Sequence, residues 1–398
     1  MKQFDNKSPV FANALLSLAF RPLFLGAATF SILSLLMWGL ALSGWQFNPY
    51  GGVQFWHGHE MLFGFVGAVV VGFLLTAVQS WTGLRAVNGR PLALLLMLWL
   101  AGRILMAMPV GPSMLPVVVD LIFFPVAALF LFMPLLIRNQ SRNYFAVLAL
   151  LILTFCNGIS HFAVLNNEPI LQSQALFSAM LLITVMMAII GGRVIPMFTA
   201  TATKIPARPR QKWLDTAALS LLWSLLVLSL LAPGWQASDL LLSFIYGAAA
   251  LLMGVRCAGW RFFSTLKQPL LWSLQLGYWW IVIGLLLFSG HYAGLEIPAS
   301  IAMHSLTAGA MGTLILSMMS RVSLGHTGHP IIASRLISIS LMVITLTALT
   351  RVFGVWLLVS IYQQIVILSM ILWCIAYGSF LIKYTPLLIN PRADGKED

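Results

Sequence analysis

Long apolar runs recur along the whole chain, each close to the roughly twenty residues that a helix needs to cross the hydrocarbon of a bilayer. They cover residues 23–42, 60–79, 91–109, 114–137, 144–164, 172–195, 213–231, 238–258, 270–290, 299–320, 333–350 and 355–382. Within them the apolar residues follow one another without the polar stripe of a surface helix, so the solvent around these helices must itself be apolar. The breaks between runs are short and rich in Pro, Gly, Asn and Arg, as in NPYGG at 48–52 and KIPARPRQK at 204–212, and none has room for a soluble domain. The pattern predicts an all-α integral membrane protein of about twelve transmembrane helices, forming one polytopic domain over residues 1–398.

Composition strengthens this reading. Of 398 residues, 60% are hydrophobic and 8% charged, about a third of the charge density of a soluble protein. The net charge of +12 would suggest nucleic acid if the basic residues formed a patch, but they are dispersed between apolar spans, so no nucleic-acid partner is expected. Their distribution instead sets orientation. Lys2, Lys7 and Arg21 precede the first span, and Arg85, Arg90, Arg138, Arg142, Arg193, Lys204, Arg208, Arg210, Lys212, Arg256, Arg261, Lys267, Arg321, Arg335, Lys383, Arg392 and Lys396 all fall on the same side. Only Arg103 and Arg351 fall on the other side, so the positive-inside rule places both termini in the cytoplasm. The polar start MKQFDNKSPVFAN does not read as a cleavable signal. Cys156, Cys257 and Cys374 share no short spacing, which argues against a disulfide or zinc framework.

With orientation set, the histidines acquire depth. His57, His59, His161, His291 and His304 lie toward the outer face, and His326 and His329 toward the cytoplasm. Ionisable groups inside a bilayer are costly and mark ligand, cofactor or transport sites. His291 begins a loop and reads as an interfacial residue, while His161 could serve a site or bond a neighbouring helix. His57 and His59, two residues apart, point to opposite faces of a helix unless it starts between them. His59, being deeper, is the better cofactor candidate.

An internal repeat narrows the choice. HEMLFGFVG at 59–67 and HSLTAGAMG at 304–312 both read H-x4-G-x2-G, and at the same offset Thr82-Gly83 matches Thr327-Gly328. The pairing puts one imidazole each from His59 and His304 at matching depth. Gly67 and Gly312 below them admit a flat ring or a second backbone. Two such imidazoles suit the axial positions of a porphyrin. Copper, which wants more ligands, would add His57 and His161. Arg103 and Arg351 suit anionic propionates at the outer edge, or else snorkel to the interface. Glu60, Asp120 and Glu296 either orient an imidazole or sit in the interface. His326 and His329, in GHTGHP, are a weaker metal candidate, and Arg193 and Arg321, each followed by Val, could gather an anion or cap helix carbonyls.

The segments FRPLF at 20–24, WHGHEMLFGF at 56–65, GFLLTAVQSWTG at 72–83, LWLAGR at 98–103, GGRVIPMFT at 191–199 and MSRVSLGHTGHP at 319–330 resemble those of the NnrS family, bacterial haem- and copper-containing membrane proteins linked to nitric oxide. The resemblance implies a haem, of b type, with copper as a second candidate cofactor, a small ligand such as nitric oxide, an electron donor, and residence in the bacterial inner membrane. It does not assign the axial ligands. The arrangement is also similar to haem–copper oxidases, which hold a six-coordinate haem between histidines of their second and tenth helices. Here, however, helices six and seven carry no histidine and helix ten no second one, which argues against a binuclear oxygen- or nitric-oxide-reducing centre. A haem protein that binds nitric oxide or relays electrons is the leading expectation. A transporter of a metal or small anion and an atypical nitric-oxide- or quinol-linked oxidoreductase are the alternatives, so catalysis stays open.

Overall fold

The computed structural model describes residues 14–206, 209–232 and 237–395. Lys2, Lys7, Arg208 and Lys396, counted above for orientation, lie outside the described residues. The described chain is helical, and twelve helices are long and apolar enough to cross a membrane. They are α1 (Phe20–Leu42), α2 (Val53–Thr82), α3 (Gly89–Ala107), α4 (Met114–Ile137), α5 (Tyr144–Leu165), α6 (Pro169–Thr203), α7 (Lys212–Leu231), α8 (Asp239–Ala258), α9 (Pro269–Tyr292), α10 (Ala299–His326), α11 (Arg335–Leu357) and α12 (Tyr362–Ile389). The first eleven contain their apolar runs almost whole, although α2 starts a full two turns before its run and α6 and α10 extend beyond theirs; the last run, expected at 355–382, is shifted, its first three residues belonging to α11 and α12 covering Tyr362–Ile389.

Chain neighbours pack side by side from α3 to α10 and again from α10 to α12, and α12 closes the circuit on α1. Inside this circuit α2, α6, α9 and α10 are the most enclosed, with 72–78% of their central windows buried against 28–56% elsewhere. Lipid-facing stripes confirm which sides look outward: Leu33, Leu36 and Leu40 on α1, and Leu94, Met97 and Ile104 on α3, are exposed at helical spacing. Because lipid tails are as apolar as leucine, the helices are held by close approach and not by hydrophobic exclusion. Small residues supply that approach. A Cβ on Gly67 of α2 would lie 2.6 Å from Phe124 of α4, and one on Gly312 of α10 would lie 2.6 Å from Trp373 of α12.

The repeat seen in the sequence has a physical counterpart. Immediately after His59, α2 widens into a seven-residue π segment, Glu60–Val66, and immediately after His304, α10 does the same over Ser305–Met311. Both helices then end at an equivalent glycine in the left-handed region, Gly83 at φ +68° and Gly328 at φ +75°, where a side chain would be strained. A shorter π segment, Thr350–Gly354, surrounds Arg351 in α11. Such segments change which way the side chains before them face relative to the helix below, and they gather at functional positions.

Candidate cofactor sites in the outer layer

Because α2 begins at Val53, His57 and His59 both stand on helix, and about 200° of rotation separates them. They therefore serve two different sites.

His59 belongs to a closed cluster built from α2, α3, α4 and α5. Its Nδ1 lies 2.8 Å from Glu60 Oε1 and its Nε2 2.8 Å from Asn157 Oδ1. Asn157 donates through Nδ2 to Asp120 Oδ2 at 2.6 Å, and His161 Nε2 donates to the same oxygen at 3.0 Å. Arg103 clamps the carboxylates together, donating to Glu60 Oε1 at 2.7 Å and to Asp120 Oδ1. All of these side chains are buried. Both partners of the His59 ring are acceptor oxygens, so a proton on each ring nitrogen would satisfy both contacts, although Glu60 Oε2 and Arg103 Nε in the same cluster have no partner. His59 and Arg103 then balance Glu60 and Asp120, and the cluster is neutral in a medium where an unbalanced charge costs several kcal/mol. Among the described residues, His59, Asp120 and His161 are the group whose ligand atoms, all within 4.8 Å of one another, could hold a metal ion.

Tyr50 connects this cluster to the outer surface. Its hydroxyl donates to His161 Nδ1 at 3.3 Å. Burial pushes the phenol up to about 12, so it remains a donor. Above it the loop at 48–52, with Gly111, Pro112 and Asn167, lines an open polar vestibule of about 620 Å³.

The second site is built around His304. His304 donates from Nδ1 to the Ser300 carbonyl at 2.7 Å, which leaves Nε2 with its lone pair, and Arg351 donates to that atom at 2.9 Å. A carbonyl-anchored imidazole is the tautomer that binds metals, and here its Nε2 lone pair is held by the Arg351 guanidinium, which a metal would displace. His57 and Arg351 lie within electrostatic reach of His304. His57 stacks on Trp38 of α1, with centroids 4.6 Å apart and planes 14° off parallel. Yet His57 Nδ1 and Arg351 Nη1 are buried without any partner, while His57, His304 and Arg351 each keep some exposed surface. Buried polar atoms are almost always satisfied, so these two, like Glu60 Oε2 and Arg103 Nε of the first cluster, mark a place where a ligand would find partners.

His59, which the register pairs with His304, contacts Glu60 and Asn157 with its ring centroid 5.1 Å from that of His161, while His57 lies within electrostatic reach of His304. Arg351 donates to His304, whereas Arg103 bonds the carboxylates of Glu60 and Asp120. Gly67 and Gly312 admit Phe124 and Trp373, the helix-packing alternative rather than a ring. Glu60 and Asp120 orient imidazoles, and Glu296 is exposed. His291 donates to the Ile297 carbonyl at 2.8 Å, an ordinary loop contact. Sequence reading missed Asn157, whose i, i+4 spacing to His161 was the available signal. It also missed Tyr50 and Trp38, for which no local signal exists.

The cytoplasmic motifs are occupied with structure. His329 Nδ1 contacts the Thr327 hydroxyl at 2.9 Å and His326 lies against the Phe20 ring. Arg392 donates to the His326 carbonyl at 3.0 Å and Arg21 to the carbonyls of Leu388 and Asn390. FRPLF and GHTGHP therefore hold the C-terminal segment. Arg193 and Arg321, instead of capping, stack on Phe145 and Phe198 at 5.1 and 3.9 Å. In GGRVIP, Gly192 leaves space for the buried Arg256 guanidinium, which bonds Asp215, Tyr278 and the Ala188 carbonyl.

Comparison with known proteins agrees with the resemblance carried by these motifs. No curated protein matches the chain. The family model described as NnrS protein matches residues 14–392, from before α1 to beyond α12. The chain belongs to the NnrS family.

Proposed function

We infer from membership in this family that the chain is a membrane protein of the nitric oxide response, with haem and copper, the family's associated cofactors, as its candidates. We propose that this chain is a haem protein of the bacterial inner membrane, which binds nitric oxide or relays electrons through a b-type haem held between His57 and His304. The observation that carries the reading is the pair of orphaned buried atoms, His57 Nδ1 and Arg351 Nη1, around an imidazole whose Nε2 is already aimed by the Ser300 carbonyl. A haem bound there would supply an iron that takes diatomic ligands and single electrons. The chain's own contribution is to fix the His304 tautomer, to hold the His57 ring plane against Trp38, and to offer Arg351 to a propionate.

A copper ion would belong to the other site. His59, Asp120 and His161 offer two imidazoles and a carboxylate, and a monovalent cation exchanged for one His59 proton keeps the cluster neutral. An electron donor is expected to meet the protein from the membrane or the outer face.

The test is spectroscopy with metal analysis on detergent-purified protein. Wild type should show a b-type haem spectrum. His304→Ala should lose it, and His59→Ala should retain it while losing any bound copper. A wild-type protein without haem, or a His304→Ala variant with the unchanged spectrum, would defeat the assignment.

A further inference from the structure

The two histidines of the open site are held in unequal ways. His304 is anchored by its ring: Nδ1–H donates to the Ser300 carbonyl at 2.7 Å, a bond that fixes the plane, sets the tautomer and raises the electron density on Nε2. His57 makes no hydrogen bond through either ring nitrogen, and its Nδ1 is buried and unpartnered. Its ring stacks on the Trp38 indole, with centroids 4.6 Å apart. Stacking restrains tilt but permits sliding within the plane, since offset arrangements of flat rings are close in energy. The backbones differ too. His304 immediately precedes the Ser305–Met311 π segment, whereas His57 stands in the first turns of α2, just after Gly52 at φ +84° and two residues before His59.

We propose that His304 is the anchored ligand and His57 the ligand that yields, so that a neutral diatomic molecule binds on the α2 side of the site. The inference rests on the haem assignment above. The exchange breaks one bond from metal to imidazole and forms one from metal to diatomic. No electron or proton moves, and the released imidazole keeps its stack on Trp38. Arg351, which donates to His304 Nε2 at 2.9 Å in this structure, would give up that bond once Nε2 takes the metal and turn to an anionic edge group. Trp38 is therefore a positioning residue: it sets how readily His57 retreats.

The experiment uses full-length protein in detergent and carbon monoxide as the probe, with haem content measured separately. His57→Ala should keep haem within about twofold of wild type, show a five-coordinate high-spin spectrum and bind carbon monoxide at least about tenfold faster, whereas His304→Ala should lose haem by about tenfold or more, the scale of losing an oriented ligand. Trp38→Ala, which leaves both ligands in place, should also accelerate carbon monoxide binding, and Trp38→Phe should restore the slow rate. Loss of haem in His57→Ala with retention in His304→Ala, equal loss in both, or no rate change in Trp38→Ala would overturn the inference while leaving the haem in place. Absence of haem from wild type would instead overturn the assignment on which it rests.

Discussion

Glu60, Arg103 and Asp120 illustrate how much one side chain's environment decides at the residue scale. Each is an ionisable group that would be expensive alone in lipid, and each is buried beside its counter-charge. Breaking one member strands the rest, so Arg103→Leu should lower stability by about 3–5 kcal/mol, read as a large loss of thermal midpoint in detergent. Asp120→Asn keeps the shape but leaves Arg103 short of a partner; it should destabilise too, and a midpoint within a degree of wild type would refute the neutral-cluster account. The identities of the candidate residues were legible in the sequence because few polar groups interrupt the spans. Their partnerships were not. The register of H-x4-G-x2-G aligned His59 with His304, but residues equivalent in a repeat occupy corresponding positions in two places, not facing positions in one. His57, outside the repeat, is what reaches across to His304. Glu60 and Asp120 were ambiguous for a related reason: sequence yields depth, and depth alone does not separate an interfacial carboxylate from one enclosed by an arginine of the next helix.

Among the elements, the two seven-residue π segments carry the most information. Each places a histidine one turn above a glycine pair, Gly64 and Gly67 or Gly309 and Gly312, against which a neighbouring helix packs. Deleting one residue within Glu60–Val66 would restore α-helical winding and turn His57 and His59 by about 100° relative to the helix below. The expected result is an inserted protein that has lost haem, measured as haem per polypeptide; unchanged haem content would mean the segment is not what aims these rings. Gly312→Leu should push α10 from Trp373 and cost about 1–3 kcal/mol by overpacking, detectable as a lower thermal midpoint. Hydropathy could not reveal these segments, because a π turn leaves the apolar pattern intact. The repeat revealed where they lie without revealing what they are. It was also silent on the early start of α2: residues 53–59 are not apolar, and they become helix because the cluster and the Trp38 stack accept their polar side chains.

For the molecule as a whole, the twelve spans and their order were fully legible, since length and hydropathy are properties that each helix has alone and basic residues mark one side. Substituted cysteines at Asn167 in the α5–α6 loop and at Arg261 in the α8–α9 loop should react with an impermeant thiol reagent from opposite faces of sealed vesicles. Labelling of both from one face would contradict the orientation. What hydropathy cannot convey is how the spans enclose one another, with α2, α6, α9 and α10 inside, because enclosure depends on pairs of helices. The neutral cluster also bears on how the protein is made. Helices α2, α3 and α4 leave the ribosome in turn carrying Glu60, Arg103 and Asp120, and a charged residue at mid-helix opposes insertion by about 2.5–3.5 kcal/mol. The acid of α2 is followed by the base of α3 and then by the acid of α4, so each arriving span finds its counter-charge in the one before. Insertion of this third of the protein should therefore be cooperative: α3 and α4 released sideways as a unit, with α2 retained beside the insertion machinery until they arrive.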